Sequence, residues 1–231
     1  MPTRDSTTPA ARRQSLPTSL KIVAADEVRR QIFEGRLRPG TRIDQDRIAE
    51  QLGISKLPVR EAVIELSAEG IVQLEPRRGA FVATLAREDI LDQYWMLGVI
   101  SGMAAERSAA RLTDADLDTL ASMAADMESA TSTEAEELLN HEFHRVINRA
   151  TGSRRLTAEI KTLSRAIPQG FYESHAGWRE SMTHDHHEIV EALRVRDGAA
   201  ARRLTEEHFR RGGDQAVALL EARGFWSDAG A

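Results

Sequence analysis

The sequence predicts a mainly α-helical chain in two parts: a small helical unit closed by a β-hairpin, then an antiparallel bundle of six helices. Three observations carry that expectation. Residues Asp44 to Glu75 read as two short amphipathic helices and a strand, punctuated by Gly53 and Gly70. The stretch EPRRG, Glu75 to Gly79, has turn composition between two alternating runs. Beyond Arg87 only Pro168 interrupts a sequence dominated by Ala, Leu, Glu and Arg, the composition of long helices.

In the first part, Ile48, Ala49 and Leu52 form the apolar stripe of a short helix, which Gly53 stops by taking a positive φ. Ser55 is a good N-cap for the next helix, and Pro58 falls in its first turn, where a missing N–H costs little. Val59, Ala62, Val63 and Leu66 recur at helical spacing and face inward. Ser55, Lys56, Leu57 and Arg60 are left at the amino end, pointing away from the core. After Gly70, IVQLE and AFVA alternate as two strands around a tip that holds Arg77, Arg78 and Gly79. This order is that of a winged helix-turn-helix, whose second helix presents its amino end to base edges in the major groove. Arg and Lys can donate to guanine O6 and N7, and Ser can reach bases or phosphates. Two guanidiniums on a β-turn suit phosphate or minor-groove contact. Arg47, on the first of the two helices, completes the DNA-contact candidates.

Composition bounds the rest. A chain of 231 residues is long enough for two small domains. The absence of cysteine excludes a disulfide framework and thiolate metal sites, and suits a reducing cytoplasm. No apolar run approaches membrane-spanning length, and residues 1–20, rich in Thr, Ser, Pro and Arg, lack the apolar core of a signal peptide. They read as a disordered tail. Through residue 85 the chain carries 14 Lys and Arg against 11 Asp and Glu, and beyond it 17 against 25. A basic module is thus joined to an acidic one, and only the first looks like a polyanion binder. The expected organisation is a tail over 1–20, a winged helix over 21–85, a helical domain over 86–223 and a flexible tail over 224–231.

The bundle helices are expected over roughly 87–111, from Thr113 to 129, and from Thr133 to 150. Three more follow, from after Gly152 to 174 with a kink at Pro168, over 178–195, and from Asp197 to 222. Thr113 with Asp116, and Thr133 with Glu136, have capping-box spacing. Short loops make neighbouring helices antiparallel.

Within the bundle, Asn140 and His144 stand i, i+4 on one face of the third helix, and Ile147 continues that face. His186 is in phase with Ile189, Val190 and Leu193, and His208 with Leu204 and Leu219. Three imidazoles and an amide oxygen from three helices can meet in the core, a donor set suited to zinc, nickel or manganese. Seven histidines allow other trios, with His141, His184 and His187 the competitors.

Two sets of phrases carry a family resemblance. GRLRPGTRI, GISKLPVREAV and RRGAFV resemble the winged helix of GntR-family bacterial transcription regulators. NHEFHRVINRATGSRRL and HHEIVEALRVRDGAAARRLTEEH resemble the FCD ligand-sensing domain of the FadR branch, in its six-helix, VanR-like form. The resemblance spans about residues 21–222. It implies that Arg60 contacts DNA, with Glu61 as its structural neighbour. It also implies that Asn140, His144, His186 and His208 hold a divalent metal. Lys56 and Leu57 stand where the family usually has Arg and Thr, which exchanges a bidentate fork for a point charge and a hydroxyl for an apolar tip. Asn140 replaces the commoner Asp and removes a negative charge from the site. In YWMLGVIS, Leu97 and Ser101 replace the Arg and Glu of the family phrase. Family effectors are usually small carboxylates also held by arginine, so Arg149 and Arg165 are the substitutes to watch, with Tyr172 and Trp178 as pocket walls.

The expected function is a cytoplasmic, nucleoid-associated, homodimeric repressor of bacterial transcription. It would bind double-stranded operator DNA and be gated by a small organic acid at a metal-containing site in the bundle, with no membrane partner. One alternative is a DNA binder whose bundle no longer senses. A metalloenzyme is the other, disfavoured because no obvious general-base carboxylate is placed beside the three histidines and the DNA module would be unexplained.

Overall fold

The computed structural model describes residues 19–166, 168, 171 and 178–226, with backbone alone for 178–183. Helix α1 (Leu20–Phe33) buries Ala24, Ala25, Val28 and Ile32, and α2 (Gln45–Leu52) and α3 (Lys56–Ala68) complete a three-helix unit. Asp44 caps α2 by accepting from the Asp46 and Arg47 amides, and Gly53 closes it at φ 64°. Val59, Ala62, Val63 and Leu66 are buried, as their spacing predicts.

Ser55 takes the N-cap position of α3 but makes no side-chain cap bond. A capping hydroxyl accepts from the second or third helical amide, and the third residue here is Pro58, which has none.

The wing is the antiparallel pair β1 (Val72–Glu75) and β2 (Gly79–Val82), in register from Val72↔Val82 to Glu75↔Gly79. Val72, Ala80 and Val82 point into the core. The segment before α2 lies along β2, bridging Arg42 to Phe81, with Ile43 N–H donating to Ala80 O at 2.8 Å. A buried arginine ties α1 to the end of α3: Arg29, 1% exposed, donates to both Glu69 oxygens at 2.6 and 2.8 Å.

Six further helices are described: α4 (Arg87–Ser108), α5 (Asp114–Ser129), α6 (Thr133–Ala150), α7 (Arg154–Ser164), α8 (Trp178–Arg194) and α9 (Gly198–Ala222). The Thr113–Asp116 box and the Asp197 cap form as expected. The cap of α6 is Ser132, one residue earlier than predicted, with its hydroxyl accepting from the Ala135 amide. Helix α4 ends at Ser108, three residues early. Helix α7 ends at Ser164 and does not run on through Pro168, since proline withholds a donor and biases the residue before it away from helical backbone. Positions 172–174 of the predicted fourth helix, like residues 1–18, lie outside the described residues.

Helices α4 and α9 pack closely along their lengths. Side-chain-free positions make this possible: a Cβ on Gly102 would sit 2.8 Å from Glu206 Cγ, and one on Gly213 3.0 Å from Tyr94 Cβ. One apolar core, around α5, α6 and α8, holds Leu117, Leu120, Phe143, Ile147, Ile189 and Leu193. The winged-helix core continues into the bundle through Leu219, Leu220 and Phe225. Phe33 stacks on Phe225 at 6.5 Å and meets Phe171 edge-on at 5.4 Å. Arg223 donates to Phe33 O and Phe171 O, and Trp226 Nε1–H to Leu85 O at 2.7 Å. The folded chain therefore extends past residue 223, where composition predicts only a tail.

Candidate functional site

Two groups of residues stand apart from the packing. The first is the outer face of the winged helix. Arg47, Ser55, Lys56, Leu57, Arg60, Arg77 and Arg78 are all exposed, and Gly79 is half-buried. Leu57 is 64% exposed at the start of α3, an apolar side chain that the core leaves in water. Lys56 Nζ pairs with Asp46 at 2.8 Å, which favours its charged form.

At the wing tip, Arg78 N–H donates to Glu75 O at 3.1 Å, closing a turn in which Arg77 takes φ 65°. Gly or Asn usually fills such a position, because a Cβ there is crowded. Arg78 pairs with Glu75 and lies 5.4 Å over the Phe81 ring. Arg42 escaped the sequence reading. Its Nε sits 3.3 Å from where a Gly79 Cβ would be, so its guanidinium lies against the wing tip. The bridge from Arg42 to Phe81 puts it there, and that pairing has no signature in a single strand's alternation.

The second group is in the bundle. His144 on α6, His186 on α8 and His208 on α9 bring one ring nitrogen each to within 4.8 Å of one another. His144 Nε2 and His208 Nε2 are 3.2 Å apart, and His186 Nε2 is 2.9 Å from Asn140 Oδ1. All four predicted ligands thus converge. His186 and His208 are 2% and 1% exposed, and Phe143 meets His186 edge-on at 4.7 Å. Burial holds the His144 imidazole well below the usual histidine range, helped by His208 and His141. A neutral ring keeps a lone pair, as a metal ligand requires.

The donor set fits a divalent ion. Tetrahedral zinc with nitrogen donors at about 2.0–2.1 Å spaces them about 3.3 Å apart, a spacing that the His144 and His208 nitrogens match at 3.2 Å, with the His186 nitrogen within 4.8 Å of both. His141 and His184 are exposed and His187 half-buried, the latter two facing Glu188 and Glu128, so the competing trios dissolve.

Other expectations are corrected. Arg149 is exposed: five residues beyond His144, it falls on another face of α6. Arg165 at the end of α7 lies beside α1, where it and Arg29 draw down an Asp26 carboxyl that burial pushes up. Neither arginine is among the charged groups that bear on His144. Tyr172 and the Trp178 side chain lie outside the described residues.

Leu97 and Ser101 are buried on the inner face of α4, and the Ser101 hydroxyl finds no partner among the described residues. Sequence reasoning also missed Asp185. It is 4% exposed, with Oδ2 3.3 Å from His208 Nδ1, and both its oxygens are held by Arg211. An acidic residue beside a ligating histidine was the available signal.

A winged helix-turn-helix joined to a histidine-bearing helical bundle is the architecture of a DNA-binding regulator with a separate input domain. Comparison with known proteins specifies it. Residues 21–82 match the family described as bacterial regulatory proteins, gntR family, and residues 92–211 match the FCD domain. The chain is 30% identical over 171 residues to an uncharacterised HTH-type transcriptional regulator of Mycobacterium tuberculosis, covering 74% of this chain and 70% of that protein. It is 26% identical over 188 residues to the HTH-type transcriptional repressor RspR of Escherichia coli, covering 78% and 82%. Among solved structures, Escherichia coli McbR/YncC superposes with a TM-score of 0.66 at 23% identity, over 86% of this chain and 97% of that one. A GntR-family regulator from Pseudomonas syringae gives 0.54 at 26% identity, over 88% and 86%. The chain belongs to the GntR family of bacterial transcription regulators, in the branch that carries an FCD domain. The family and the relatives it matches are transcription regulators and not enzymes. Among the described residues no helix is long and apolar enough to cross a membrane.

Proposed function

We propose that the chain is a homodimeric repressor that binds double-stranded operator DNA and is gated at a metal-containing site in the bundle. The observation that carries this reading is the convergence of Asn140, His144, His186 and His208 in the bundle, with the helix that bears His208 running on into the winged-helix core. The metal is zinc, nickel or manganese, which imidazole and amide donors suit. Its chemistry here is to polarise and hold an oxygen ligand, while the protein's residues place and enclose it. The effector is a small organic acid. With Arg149 exposed and Arg165 beside α1, an ion held by Asn140, His144, His186 and His208 would supply the positive charge for such an acid.

On the DNA side, Ser55, Lys56, Leu57 and Arg60 read the major groove. Arg47, Arg77, Arg78 and Gly79, joined by Arg42, follow the backbone and minor groove. Two copies related by a two-fold axis would place two such faces on a pseudo-palindromic operator. Gating is a population shift, in which the effector favours a dimer geometry that misfits the operator. The likeness to RspR, itself named a repressor, supports the direction of control.

The test is a gel shift on a fragment of the chain's own promoter, with and without a chelator and a panel of small carboxylic acids. Retarded DNA released by one acid only while metal is present is the expected result. Unchanged retardation under every acid and under the chelator would instead establish the second reading, a regulator whose bundle no longer senses. The buried, apolar Leu97 in α4, standing where the resemblance to the family phrase implies an arginine, favours that second reading.

A further inference from the structure

We propose that Asp185 and Arg211 are positioning residues of the metal site, a role that rests on the metal reading above. An imidazole that ligates through one nitrogen must carry its proton on the other, and the group behind it decides which. His208 turns Nε2 toward His144 Nε2 at 3.2 Å and Nδ1 toward Asp185 Oδ2 at 3.3 Å. An ionised carboxylate only accepts hydrogen bonds. Asp185 therefore fixes the proton on Nδ1 and leaves the Nε2 lone pair facing the other histidines.

The carboxylate is itself held in place. Arg211 Nη2 donates to Asp185 Oδ1 at 2.6 Å and Arg211 Nε to Oδ2 at 3.1 Å, a two-point fork that leaves the carboxylate little rotational freedom. Asp185 is 4% exposed, and a buried carboxylate without such a partner would be strongly destabilising.

The arrangement is reciprocal between two helices. Helix α8 supplies the ligand His186 and, at the preceding residue, the carboxylate that orients His208. Helix α9 supplies the ligand His208 and, one turn on, the arginine that holds this carboxylate. A sliding of α8 past α9 would move both ligands and the support of one of them together. Arg211 also reaches Glu207 at 3.3 Å, so it keeps an acceptor when Asp185 is replaced.

The test uses the full chain, zinc as the probe and two readouts. Asp185→Asn keeps the shape but replaces one acceptor oxygen with a donor. Zinc affinity, measured by competition with a chromogenic chelator, should fall by roughly 10–100-fold. In the metal-free chain, long-range proton–nitrogen spectra of the histidine rings should show the His208 proton moving from Nδ1 to Nε2. A purely structural ion pair would leave that tautomer unchanged. Should Asp185→Asn fail to fold, Arg211→Met examines the same support with the carboxylate in place, and should weaken zinc binding in the same direction. Wild-type zinc affinity in the variant, or an unmoved tautomer, overturns the proposal alone. A wild-type chain that binds no zinc, nickel or manganese overturns the metal reading as well.

Discussion

Replacing Arg77 by glycine should make the protein more stable and a weaker DNA binder. Arg77 sits third in the turn from Glu75 to Arg78 at φ 65°, a left-handed conformation that a Cβ disfavours by about 1–2 kcal/mol. Removing the side chain relieves this, but glycine gains freedom in the unfolded chain worth about 0.4–1 kcal/mol. The net expectation is a gain of roughly 0.5–1 kcal/mol, which at this size raises Tm by about 1–4 °C. The same substitution removes one guanidinium from each wing. If each contacts one phosphate, the slope of log K against log salt should shrink by about 0.9 per wing, or about 1.8 for a dimer. Thermal unfolding gives the first number, and fluorescence anisotropy on an operator fragment across a salt series gives the second. A variant less stable than wild type would refute the account of the turn, and an unchanged salt slope would refute the phosphate contact.

Other perturbations separate the two sites. Arg60→Ala should abolish preference for operator over random DNA while leaving far-UV circular dichroism unchanged; retained discrimination at moderate salt would remove Arg60 from the reading surface. His186→Ala combined with His208→Ala should eliminate bound metal by elemental analysis, together with any rise in Tm on metal addition, since a ligand held only by the native state stabilises it. Stoichiometric metal in that double variant would point to other histidines. In the metal-free chain, the depressed His144 pKa gives stability a definite pH dependence. Above about pH 6.5 the ring is neutral in both states, and below it the unfolded chain takes up a proton that the native one refuses. Stability should therefore fall as pH drops from about 7 toward 5, and His144→Gln should flatten that fall in denaturant titrations. A slope unaltered by the substitution would contradict the assignment.

The parts of this molecule that repeat along the chain were legible in its sequence. Val59, Ala62, Val63 and Leu66 declare the inner face of α3, and the phase of His186 with Ile189 and Leu193 declares that this histidine looks inward. Caps were legible where one candidate existed, as with Asp197, and slipped by one residue at Ser132–Thr133, where either side chain could serve. Ser55 shows a different limit, because its position follows from composition whereas a proline three residues on removes one of the two amides its hydroxyl could cap. What the sequence hid depends on encounters between distant segments. Asp185 gains its meaning only when α9 brings His208 and Arg211 against it. Arg165, a candidate to hold the effector by sequence, lies instead beside Asp26 of α1. Arg42 became part of the wing only through its bridge to Phe81.

The contacts of Arg223, Phe225 and Trp226 with Phe33, Phe171 and Leu85 bear on how such regulators can be recombined. A biosensor chimera made by cutting between wing and bundle, near residue 85, would carry the reader away from the last few residues that brace it. The transferable unit is thus not contiguous: a grafted winged helix needs a host bundle whose terminal residues match the Phe33 end of α1, or must bring the segment after α9 with it.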